Sequence, residues 1–177
     1  LQTLRQARLG LGVFFLSGAG VGAVLPFLTL FVQKITGCTD QEAQNMFLVL
    51  MLSTAVAVIP MGLLADKVGT KSVLMTSLVM IGVACLGGLW ASTLPQITVI
   101  LAIAGIGNAA QSAASYPLLT QLVPREEAGF YTGLQTMALS IAQPLTVVVT
   151  GILINHGSYR TIFWVCAVCM AAALALL

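Results

Sequence analysis

Long apolar runs alternate along the chain with short polar interruptions, and that alternation sets the expected architecture. Six runs read as membrane-spanning helices, at about residues 9–33, 43–65, 72–91, 95–120, 128–154 and 160–177. Each is near the roughly 20 residues a helix needs to cross a bilayer. The first run carries Gly18, Gly20 and Gly22, with Gly18-x-x-x-Gly22 as a small-residue packing face, and Pro26, which removes a backbone donor and kinks its second half. Residues 34–41 form an exposed loop, and Thr39-x-x-Glu42 is a capping box that opens the second run. Pro60 and Gly62 are expected to bend or loosen its last turns. The third run has almost nothing polar between Ser77 and Trp90, and reads as a lipid-facing helix with an interfacial tryptophan at its end. Ser92-Thr93-Leu94-Pro95 makes a short turn before the fourth. Pro124-Arg125-Glu126-Glu127 suits the start of the fifth, and Gly157 in Asn155-His156-Gly157-Ser158 suits a left-handed cap at its end.

Composition removes the soluble class. Of the 177 residues 59% are hydrophobic and only 7% charged, against the quarter or so that a soluble surface uses. The mean hydropathy is +1.04. A net charge of +2 without a basic, aromatic-interleaved patch excludes a nucleic-acid partner. The partners expected are the lipid bilayer and a small-molecule solute. Cys166-x-x-Cys169 has redox-motif spacing but lies inside an apolar run, where two small core residues are the better reading. The chain opens at Leu1 and stops at Leu177 within an apolar run, so a longer parent protein is expected.

Charge then orients the spans. With six crossings, Arg5, Arg8, Lys67, Lys71 and Arg125 fall on the side that holds both ends, and only Lys34 and Arg160 on the other. The positive-inside rule makes the first side cytoplasmic, in a cell membrane.

The stretch between the second and third runs, Gly62-Leu63-Leu64-Ala65-Asp66-Lys67-Val68-Gly69-Thr70-Lys71, is too short for a linker and must return the chain at the membrane surface. Asp66, Lys67 and Lys71 stay wet, Gly69 permits a tight backbone, and Gly62 is expected to let a neighbouring helix approach. Gly62-x-x-x-Asp66-Lys67-x-Gly69-x-Lys71 resembles the cytoplasmic loop motif of the major facilitator superfamily, which follows the second helix of each six-helix half; Thr70 stands where that family often has a basic residue. The resemblance implies an all-α membrane protein, a half-bundle built from two three-helix repeats, and Asp66 as a conformational latch. The missing partner is then the other half of a twelve-helix chain, or a second copy. Ser115-Tyr116-Pro117-Leu118-Leu119, Val123-Pro124, Gly129-x-Tyr131-x-Gly133, Gln143-Pro144 and Gly157-Ser158-Tyr159-Arg160 are similar to the C-terminal half of sugar–cation symporter-like members. Val147-Val148 follow Pro144 where the N-terminal half of a drug antiporter of the family would carry glycines.

Every charge sits in a loop or at a helix end, so the interior shows no proton relay. No catalytic constellation, phosphate loop or metal cluster is present in the sequence, and the expectation is a non-enzyme without cofactor or metal. Uncharged polarity remains. Asn108, Gln111, Ser112 and Ser115 fall at i, i+3, i+4 and i+7 on the fourth run, and Thr136, Ser140 and Gln143 repeat the spacing on the fifth, flanked by Thr132 and Thr146. Buried polar groups need partners, so these either bond helix to helix or line a wet solute path. Asn108, Gln111, Ser112, Ser115 and Gln143 are the candidate path residues. The leading reading is half of a secondary transporter that moves a small polar solute by alternating access. Two alternatives stay open: a non-transporting relative that acts as a membrane assembly scaffold, and a six-helix protein that dimerises into a transporter.

Overall fold

Pro26 breaks the first apolar run where its missing N–H leads one to expect. In the computed structural model, which describes residues 2–122, 128–156 and 160–177, helix α1 (Gln2–Val24) passes into a 3-10 turn at Leu25–Phe27 and resumes as α2 (Leu28–Thr36). Gly37, in a left-handed conformation (φ 66°), closes α2. The expected capping box then opens α3 (Asp40–Val68): the Thr39 N–H donates to Glu42 Oε2 at 2.9 Å, and the Glu42 N–H donates back to Thr39 Oγ1 at 3.4 Å. Next come α4 (Thr70–Trp90), α5 (Leu94–Leu122), α6 (Ala128–His156) and α7 (Thr161–Leu176). Among the described residues every regular element is helical. Five stretches are long and apolar enough to cross a membrane, α1 and α2 counting as one, and α7 is a shorter apolar helix.

Several expectations need correction. Helix α3 runs on through Pro60 and Gly62 to Val68, three residues past the expected boundary. The turn at Ser92-Thr93-Leu94-Pro95 is shorter than expected, because α5 already begins at Leu94 and tolerates Pro95 in its first turn. The third run faces outward on one side only: α4 exposes Met75, Val79, Val83, Leu86 and Trp90 but buries Thr70, Val73, Leu74, Ser77, Leu78, Ile81, Ala84, Cys85, Gly88 and Leu89, one continuous stripe at helical spacing. The expected helix start at 124–127 and the Gly157 cap lie outside the described residues.

The packing is interlaced. Helix α1 lies against α6 and α7, α5 lies against α3 and α4, and α4 meets α7. Thus the first helix of each three-span set packs mainly on the second and third helices of the other set. Glycines permit these approaches. A β-carbon at Gly18 would stand 2.6 Å from Leu139 Cδ2 and one at Gly22 would stand 2.8 Å from Gln143 Cα, both on α6. On α5, a β-carbon at Gly105 would meet the Leu50 carbonyl oxygen of α3 at 2.7 Å, and one at Gly107 would meet Ile81 of α4 at 2.8 Å. Helices α3 and α6 keep exposed apolar stripes of the same spacing: Leu52, Val56, Ile59 and Leu63 on one, Ile141, Leu145, Val148 and Ile152 on the other.

Candidate functional site

The loop motif reduces to one non-helical residue. Gly69, at φ 96° and ψ 140°, joins α3 directly to α4, a conformation open mainly to glycine. Asp66 and Lys67 lie exposed in the last turn of α3, and Lys71 lies exposed in the first turn of α4. Nothing among the described residues lies within 4 Å of a β-carbon built at Gly62. Thr70 is buried, and its hydroxyl donates to Gln121 Oε1 at 3.1 Å, tying the motif to the end of α5. Gln121 had no signal in sequence, because the contact joins residues 51 positions apart.

Hydroxyls inside the helices largely satisfy themselves. Ser53, Thr54, Thr98, Ser115 and Thr146 each donate to the carbonyl four residues back, and Ser17 and Ser77 to the one three back. The longer amides have no such local solution, so they are the informative groups. Asn108 is half-buried and lines a cavity of about 60 Å³ whose wall is otherwise hydrocarbon, the Phe163 ring and the thiols of Cys85 and Cys166. Gln111 is buried, and its Oε1 has no hydrogen-bond partner among the described residues. Thr150 Oγ1 on α6 is likewise buried without one. Ser112 faces outward, and the Ser115 hydroxyl is engaged by the Gln111 carbonyl of its own helix.

Gln143 lies elsewhere. It is exposed in a groove of about 640 Å³ between α1 and α6, with Ser140 as the other polar side chain and Gly22, Leu25, Pro26, Pro144, Val147 and Val148 completing the wall. The groove lies beside the 3-10 break, with Leu25 and Pro26 in its wall. The candidate residues therefore divide between two places. Asn108 belongs to a small apolar cavity, and Gln143 belongs to a larger groove with mixed walls. Among the described residues no group of three or more His, Cys, Asp and Glu could hold a metal ion.

The sequence profile of the Major Facilitator Superfamily matches residues 10–177. The chain is similar to proteins named Multidrug resistance protein MdtG: 33% identical over 159 residues to that of Klebsiella pneumoniae (strain 342), covering 86% of this chain and 38% of the relative. To that of Salmonella typhi it is 32% identical, covering 86% and 39%, and to that of Escherichia fergusonii 31%, covering 86% and 38%. The chain thus spans about two-fifths of the length of these curated relatives.

Proposed function

The chain belongs to the major facilitator superfamily, a family of membrane transporters, and from that premise we propose that it forms the C-terminal six-helix half of a twelve-helix secondary transporter working by alternating access. The interlaced packing of the two three-span sets and the matching stripes on α3 and α6 support a pair of inverted repeats. The stripes would meet lipid or the other half. The C-terminal assignment rests on Gln143-Pro144 followed by Val147-Val148, and the cytoplasmic placement of both ends rests on the five-to-two split of Lys and Arg.

The observation that carries the substrate reading is the groove between α1 and α6. One amide and one hydroxyl, Gln143 and Ser140, stand in a wall of hydrocarbon, with no charge. Such a wall suits an organic compound with a large apolar body and a few hydrogen-bonding groups. A sugar would leave most of its hydroxyls against carbon. The names of the similar proteins point the same way, to drugs. Of the neutral solutes expected from the sequence, drug-like compounds therefore fit better than the hydroxyl-rich ones of sugar–cation symporters.

The test is transport by the full-length protein in energised vesicles, with a lipophilic fluorescent dye and a labelled hexose offered in parallel. Dye movement that stops on de-energising the vesicles, without hexose movement, is expected. Hexose movement without dye movement would overturn the substrate reading, and movement of neither would favour a scaffold.

A further inference from the structure

The thiol pair at the wall of the small apolar cavity plays no part in that path. The Sγ atoms of Cys85 on α4 and Cys166 on α7 lie 2.9 Å apart, Cys85 donating to Cys166, although the residues are 81 positions apart and belong to opposite three-span sets. Both are buried, Cys166 almost completely, and both face the cavity of about 60 Å³. Sequence spacing pairs Cys166 with Cys169 instead, but the short sulfur contact in the fold is to Cys85.

We propose that Cys85 and Cys166 form an oxidisable dithiol site, which a small uncharged peroxide converts to a disulfide that staples α4 to α7. The chemistry balances with hydrogen peroxide as the oxidant. One cysteine sulfur attacks a peroxide oxygen and the O–O bond breaks; a sulfenic acid forms, and water leaves with the thiol proton. The second sulfur then attacks the sulfenic sulfur, the S–S bond forms, the S–O bond breaks, and a second water leaves. Both sulfurs are oxidised by one electron each, and the peroxide is reduced to two waters. Proximity makes the second step intramolecular, so the sulfenic acid is captured before further oxidation.

The cavity sets which oxidants can act. A water needs roughly 10–15 Å³ of such space, so a peroxide molecule fits. Small uncharged molecules cross hydrocarbon far more readily than ions do. Glutathione disulfide is large and charged, and the small cavity offers it a wall of hydrocarbon, two thiols and a single amide. The selectivity expected is therefore by size and charge, opposite to that of an exposed reactive cysteine.

The experiment uses the full-length protein in its membrane, treated with hydrogen peroxide or, separately, with glutathione disulfide. After quenching, the protein is unfolded, its remaining thiols are alkylated, and the peptides are mapped by mass spectrometry. Peroxide should abolish alkylation at both positions and give one cross-linked species joining the Cys85 and Cys166 peptides. Dithiothreitol should split it, and Cys169→Ser should leave its yield unchanged. Glutathione disulfide should leave both cysteines alkylated. Full alkylation of both after peroxide, a bond from Cys166 to Cys169, or separate sulfinic acids at the two positions would each overturn the proposal.

Discussion

The ring of Phe163 occupies the space a side chain on Gly88 would need: a β-carbon there would stand 2.7 Å from Phe163 Cε1. The ring cannot easily yield, because its centroid is 4.7 Å from that of Phe31 in an edge-to-face contact, and both side chains are buried. Gly88→Ala should therefore destabilise the protein by about 1–3 kcal/mol, the usual cost of overpacking. Gly82→Ala, whose added carbon meets only Met170 Cβ at 3.9 Å, should stay within about 0.5 kcal/mol of the parent, as benign substitutions do. Thermal unfolding of the full-length protein in detergent measures both. Equal losses would mean that the ring gives way.

A second close approach joins α3 to α5. Thr54 Oγ1 lies 2.8 Å from the Leu50 carbonyl oxygen and 3.1 Å from that of Gly105 across the interface. Its single proton is shared, so the interhelical bond contributes little. Thr54→Val should cost about 0.6 kcal/mol, the mean for such bonds in membranes. Gly105→Ala should cost more, about 1–3 kcal/mol, since its β-carbon would meet the Leu50 carbonyl oxygen and Ser53 Cβ, both at 2.7 Å. Melting temperatures of the two variants give the order directly; the reverse order would place the interface energy in the hydrogen bond.

The two motif glycines should respond oppositely. Gly62 lies within α3 with open space around it, so Gly62→Ala should be neutral or stabilising by up to about 1 kcal/mol through helix propensity. Gly69 holds φ 96°, and Gly69→Ala should cost about 1–3 kcal/mol in backbone strain. The comparison uses folded yield and melting temperature. A loss at Gly62 would show that a partner outside these residues approaches it.

Orientation can be read by cysteine labelling, at positions that the fold dictates. Thr70 is buried, which makes it a poor reporter, whereas Lys67 and Lys34 are exposed near opposite ends of α3. In intact cells an impermeant maleimide should label Lys34→Cys and leave Lys67→Cys unlabelled until the membrane is opened. The opposite pattern reverses the orientation proposed from charge.

Much of the helical plan was readable because a bilayer imposes length and because Pro26, Thr39 and Gly69 act locally. The inward face of α4 was not. Lipid and protein interior are both apolar, so hydropathy around that helix is nearly uniform, and its burial is betrayed only by small residues: Ser77, Ala84 and Gly88 turn inward, while Val79, Val83 and Trp90 turn outward. The polar row on α5 was readable as a row but not as one environment. Gln111 and Ser112 are about 100° apart on the helix, enough to put one inside and one outside. The Thr70–Gln121 and Cys85–Cys166 contacts join distant segments, and no local spacing announces them.

Single substitutions distinguish the groove from the cavity. Gln143 is exposed beside Ser140 and the Pro26 break, so a solute entering between α1 and α6 would meet its amide directly. Gln143→Ala removes one hydrogen-bonding group without creating a buried hole, and its loss should weaken apparent substrate affinity by about 0.5–1.5 kcal/mol, or about 2- to 12-fold, with folding intact. Asn108 faces an apolar cavity of about 60 Å³, too small for a drug-sized compound, which needs roughly 300 Å³ or more. Asn108→Ala should therefore leave affinity nearly unchanged and act, if at all, through stability. Gln111 is buried, with no partner for Oε1 among the described residues; Gln111→Leu removes that atom and should preserve or raise the melting temperature. Thr76→Ala, at an exposed site bonded only to the Ser72 carbonyl of its own helix, serves as the reference. Concentration-dependent dye transport by the full-length variants, normalised to folded protein in the membrane, gives the affinities. If Gln143→Ala matches the reference while Asn108→Ala or Gln111→Leu weakens binding, the solute path runs along α5 and not through the groove.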